Sequence, residues 1–141
     1  MEKTLPIKTI DADSFGRYGV VLEHVDQEEG YEPLVTVQSH GWIWAVLTFR
    51  LKSIARIECH STSKESFEPV SGTTIIVVAP PKDPDAIEAF LLDQSVMLHE
   101  GVWHEVMALS DVARVKITEN NDVTTEYHDL GFELSAALMG S

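Results

Sequence analysis

The sequence predicts a mainly β protein, an antiparallel sandwich or barrel with one or two short helices. Two observations lead there: many short runs rich in β-branched and aromatic residues, and turn formers separating several of them. The runs cover 19–25, 34–38, 42–50, 54–60, 73–79, 95–99, 102–109, 112–118 and 123–128. Glu29-Gly30, His40-Gly41, Ser71-Gly72, Pro80-Pro81 and Asn120-Asn121 supply breaks. Asp11 or Asp13 can cap a brief helix ended by Gly19, and Asp83 can cap a second with Pro84 at its first position. Both helices are expected as connections, and the tail after Leu134 is expected to be loosely held.

A chain of 141 residues suits one domain, residues 1–141. Its 23 acids against 10 bases give a formal charge of −13, which repels phosphates; with no cluster of Lys or Arg, no nucleic acid partner is expected. No stretch approaches the roughly 20 apolar residues that cross a bilayer, so no membrane partner is expected. "MEKTLPIKTI" has no apolar segment of signal-peptide type, and a cytoplasmic location follows as the expectation. With Cys59 alone, no intrachain disulfide or thiolate metal cluster can form, and Cys59 reads as a small core residue.

Chemistry concentrates in two segments. Period-two geometry puts Arg56, Glu58 and His60 on one strand face and Ala55, Ile57 and Cys59 on the other. A strand with one face in water gives the same alternation. The stretch continues, however, as E-x-H-x4-E-x6-G through Glu65 to Gly72. The second segment, "MLHEGVWHEV" at 97–106, places His99, Gly101 and His104 together, with Trp103 alternating away from His104. His24 and His128 are expected in peripheral strands and His40 in a turn.

The first pattern resembles the cupin motif H-x-H-x3-4-E-x6-G, with Glu58 in place of the first His. The second resembles P-x-G-x2-H-x3-N, with His99 for Pro and Ala108 for Asn. The resemblance implies a cupin-like antiparallel β-barrel or jelly roll in which Glu58, His60, Glu65 and His104 converge. They would hold a divalent metal ion (Mn, Fe, Ni or Zn), since imidazole and oxygen donors select weakly among these. A metal-free pocket using the same groups for hydrogen bonding or proton transfer remains the alternative.

A wider resemblance runs through "DADSFGRYGVVLE", "TFR", "ECHSTSKESFEP", "IIVVAPPKDPDAIEAFLLD" and "LHEGVWHEVMAL". In that order they resemble the ureidoglycolate lyase family. Glu58, His60, Phe67, Pro69, Ala89-Phe90 and His99 through His104 keep the family pattern. Cys59, Ser61, Glu65, Leu98, Glu105 and Val106 depart from its Arg, Pro, Gln, Tyr, His and Pro. The family reaction eliminates urea from ureidoglycolate, a small-molecule substrate, to give glyoxylate. It implies His60, Glu65 and His104 as acid–base groups, Arg50 as the carboxylate anchor with Arg56 and Lys64 as fallbacks, and His99 as a further substrate contact.

Trp42 and Trp44 share one face of their run, with Ile43 and Ala45 on the other, so a strand covered on both sides is expected, the second face by a dimer interface. The resemblance to cupin-like families, which commonly pair through such strands, implies a homodimer. A non-catalytic cupin module binding a small acidic or sugar-like ligand, or a different metal-dependent cupin enzyme, are the competing functions.

Overall fold

Six consecutive apolar or small residues, Thr74–Ala79, form strand β6, and all six are buried. A strand covered on both faces reads as a continuous apolar run, and here two layers of core supply the cover. Ile76 and Val78 face a cluster shared with Phe15, Phe67, Phe90, Val96, Leu98, Val106 and Val115. Ile75, Val77 and Ala79 face a second cluster with Ile54, Ile57, Ala89, Met107 and Leu130.

The computed structural model describes residues 4–30, 32–37 and 41–137. In chain order, β1 is Ile7–Lys8, α1 Ala12–Phe15, β2 Gly19–Val21, β3 Trp42–Phe49, β4 Ser53–Cys59 and β5 Glu65–Ser71. After β6 come β7 Glu88–Leu91, β8 Val96–Leu98, β9 Trp103–Ala108, β10 Ala113–Asn120 and β11 Glu126–Ser135. One sheet runs β1-β7-β6-β9-β4-β11 and the other β2-β8-β5-β10-β3. Apart from the parallel β1–β7 pair, the pairings are antiparallel. Strand makes up 49% and helix 3%, so the mainly β expectation stands, in a form consistent with a cupin-like jelly roll.

Helix α1 starts where the capping residues predict. Asp11 accepts from the Ser14 backbone N–H at 2.7 Å while Ser14 Oγ receives the Asp11 N–H, a reciprocal cap on a one-turn helix. Phe15 and Tyr18 are both fully buried packing residues. Tyr18 OH donates to Glu88, which also pairs with Lys8.

The second expected helix is absent. Asp83 N–H donates to Pro80 O and Ala86 N–H to Asp83 O, two tight turns, after which Glu88–Leu91 pairs with β6 as strand β7. Ile87, Ala89, Phe90 and Leu92 are buried, on two faces that a single helical turn cannot offer. Residues 34–37 form no strand, and residue 38 lies outside the described residues, as does His40. The expected strand at 19–25 shortens to β2. Strand β3 forms, but it is exposed rather than covered: Trp42 and Trp44 retain 64% and 74% of their surface. Among the described residues no helix is long and apolar enough to cross a membrane.

Candidate functional site

Four strand ends meet at one edge of the sandwich. In the antiparallel pairings β4 ends at the site where β9 begins, and β10 ends where β5 begins. Glu58 on β4 is the register partner of His104 on β9, and Glu65 on β5 that of Glu119 on β10. Alternation sends these groups inward: Phe67, Val106 and Ile117, each two residues from one of them, belong to the core between the sheets. The turn between β8 and β9 is tied to His60 by Gly101 N–H donating to His60 O at 2.9 Å. Gly101 lies at φ +79, a conformation that favours glycine.

His60, Glu65 and His104 are buried at 6%, 5% and 3% exposure. Glu65 Oε1 lies 2.8 Å from His104 Nε2 and 3.2 Å from His60 Nε2, and Glu58 Oε1 is 4.0 Å from His104 Nε2. The two imidazole rings stand 5.2 Å apart, with Phe67 edge-on to His104. His104 Nδ1 lies 2.9 Å from Val102 O, so its N–H points to that carbonyl and Nε2 turns into the cluster. Thr125 Oγ1 sits 3.3 Å from His60 Nδ1 and orients that ring in the same way.

The electrostatics centre on Glu65. Burial pushes its carboxyl up, but the His104 and His60 contacts outweigh burial and hold it down at about 2. Contact with Glu65 raises His60 against the effect of burial. For His104 burial is the largest effect and lowers it, and Glu65 reverses the sign. Burial and the nearby Glu65 charge raise the carboxyl of half-buried Glu119. Despite the 2.8 Å approach, Glu65 Oε1 and His104 Nε2 lack hydrogen-bond geometry, and each is buried without a hydrogen-bond partner among the described residues.

A divalent ion fits these residues. The donors in Glu58, His60 and His104 lie within 4.8 Å of one another, and so do those in His60, Glu65 and Glu119. Two buried atoms with no proton aligned between them provide the lone pairs that a cation would satisfy.

Glu58, His60, Glu65 and His104 are thus brought together. Arg50 is not. It follows β3 at the end where Phe49 pairs with Ala113, while Glu119 pairs with Ile43. Six residues of strand, about 20 Å, separate the two ends, and Arg50 pairs with exposed Asp111 at 3.0 Å. His99 is also elsewhere, exposed, with Nε2 3.3 Å from Gly16 O. Lys64 pairs with Glu100. Arg56 shares the inward face with Glu58 but stays exposed at the rim, 4.2 Å above the ring of Tyr127, the register partner of Glu58. Trp103 points away from the site and donates Nε1–H to Pro81 O. Cys59 is buried beside Glu126; burial and that carboxylate push its thiol up to about 11, which leaves it protonated and unreactive.

Glu119, Thr125 and Tyr127 escape the sequence reading. For Glu119 a signal exists: it continues the period-two face of Val115 and Ile117, a carboxylate where an apolar residue would extend the core.

A two-sheet β fold gathering imidazoles and carboxylates at one edge is consistent with the cupin-like superfamily. The chain matches the family Ureidoglycolate lyase over residues 2–132, and it belongs to that family. Comparison with curated proteins returned no match.

Proposed function

We propose that this protein cleaves ureidoglycolate to glyoxylate and urea at a centre formed by Glu58, His60, Glu65 and His104 with a divalent metal ion. The unpartnered, buried Glu65 Oε1 and His104 Nε2 carry this reading, because only a proton or a cation between them relieves their contact. The substrate is an anion entering a cluster with Glu58, Glu65 and Glu119. Arg50 lies far away, so a cation is needed to offset the repulsion. When bound, the ion supplies Lewis acidity to the substrate's hydroxyl and carboxylate oxygens.

The chain's own groups do the remaining work. His60, Glu65 and His104 hold the centre, and the Val102 carbonyl and Thr125 hydroxyl fix the imidazole orientations. Glu58 has 29% of its side chain exposed and is placed to meet substrate. It accepts the hydroxyl proton as the carbonyl forms and the carbon–nitrogen bond breaks, then returns that proton to the nitrogen carrying the electron pair. Arg56, at the rim, contacts the carboxylate. Glyoxylate release from ureidoglycolate, assayed with and without chelator, tests the reading. Turnover lost on stripping, restored by a divalent ion and absent in His104→Ala is the expected result; equal turnover before and after stripping would overturn the metal, and no product under any condition the reaction.

We infer further that the chain works in the cytoplasm and pairs as a homodimer through β3. An apolar edge strand with one free side and exposed Trp42, Trp44 and Val46 supports pairing.

A further inference from the structure

We propose that Tyr127 is a positioning residue whose ring holds the Arg56 guanidinium with its N–H edge open to a substrate carboxylate, so that the pair selects small carboxylates at the rim of the centre. The inference rests on the reaction reading given above, in which Arg56 contacts the substrate. Arg56 and Glu58 lie two residues apart on one face of β4, and Tyr127 on β11 is the register partner of Glu58. Arg56 and Tyr127 are therefore diagonal neighbours across the strand pair, close enough for a long side chain to cover a ring. The guanidinium carbon stands 4.2 Å from the ring centroid.

Arg56 keeps its donors clear of the protein's own carboxylates. Glu58 stands two residues along and Asp129 is its direct register partner, yet among the described residues Arg56 enters no ion pair. Arg50 and Lys64, by contrast, are taken up by Asp111 and Glu100. Stacking engages the flat face of a guanidinium and none of its N–H groups, so the in-plane fork stays available for both oxygens of a carboxylate. The ring also removes rotamer freedom that a long arginine side chain would otherwise lose on binding. Tyr127 is 57% exposed and Arg56 is exposed too, so the hold is modest. A carboxylate contact made alike in the bound substrate and the transition state acts on KM and not on kcat.

Steady-state kinetics with ureidoglycolate, and nuclear magnetic resonance of the full chain with glyoxylate as the carboxylate probe, test this. Tyr127→Leu should raise KM about threefold to tenfold and leave kcat within about twofold. Tyr127→Phe, which keeps the ring, should restore the wild-type KM, and Tyr127→Leu should add nothing on an Arg56→Gln background. In isotope-labelled protein the Arg56 Nε–H resonance, identified by its loss in Arg56→Gln, should shift on adding glyoxylate. The shift should persist in Tyr127→Phe and shrink in Tyr127→Leu. A KM effect of Tyr127→Leu that survives in full on the Arg56→Gln background, or that Tyr127→Phe shares, would overturn the positioning role. A wild-type Arg56 resonance unmoved by glyoxylate would overturn the pair as a carboxylate site. A resonance that moves as expected in a protein without turnover would support the pair and overturn the reaction reading alone.

Discussion

Glu65 is a carboxylate that burial should neutralise and that two imidazoles keep charged. Its carboxyl falls from 4.5 to about 2 on folding, so its contribution to stability is present above pH 4.5 and fades as pH drops toward 2. His60 and His104 move the other way, above 6.5, so theirs is complete below pH 6.5 and fades as pH rises through their folded values. In chelator-treated protein, the difference in thermal midpoint between wild type and Glu65→Gln should therefore be largest between pH 4.5 and 6.5. A difference that is flat with pH, or largest above pH 8, would contradict the ion-pair assignment. A divalent ion must displace the same imidazole protons, so ion binding near neutral pH should release protons and strengthen with rising pH, read from calorimetry in buffers of different ionisation heat.

At the scale of the element, register decides what the site contains. The pairing of Glu58 with His104 follows from motif spacing only once β4 and β9 are neighbours, and the resemblance to a known family supplied that adjacency. Glu119 needed the β5–β10 register, which passes through an irregularity between Arg114 and Val115 that no sequence pattern announces. Arg50 was misplaced for a related reason: strand membership was legible, but not which end of β3 faced the site. The run 87–92 shows where propensity yields to pairing. Asp83-Pro84 reads as a helix start, yet burial on two faces beside β6 makes a strand. Gly72 offers a direct check on the turn joining β5 and β6. It sits at φ +73, and a Cβ there would lie 2.2 Å from Val112 O. Gly72→Ala should cost more than about 2 kcal/mol in chemical denaturation, by strain and by clash; an unchanged midpoint would mean the turn is built differently.

For the whole molecule, the outer face around β3 and the acidic balance pull in opposite directions. Trp42 and Trp44 stack at 5.6 Å on an exposed edge strand, an apolar surface of the kind that association covers. A formal charge of −13 opposes association, most strongly at low ionic strength. A homodimer through β3 should thus tighten with added salt, and Trp44→Lys should leave a folded monomer in sedimentation analysis; a Trp44→Lys protein with unchanged mass would move the interface elsewhere. The cupin-like layout, two sheets with ionisable groups gathered at one edge, was legible from the two motifs. The exposure of β3 was not, because a strand patterned for cover on both faces looks the same whether its cover lies within one chain or between two.

The X-ray absorption spectrum of the ion in the loaded protein tests the central claim most directly. A first shell of nitrogen and oxygen donors with outer scattering from two imidazoles, falling to one in His104→Ala, is the predicted result. A spectrum without imidazole scattering, or one unchanged by His104→Ala, would contradict it.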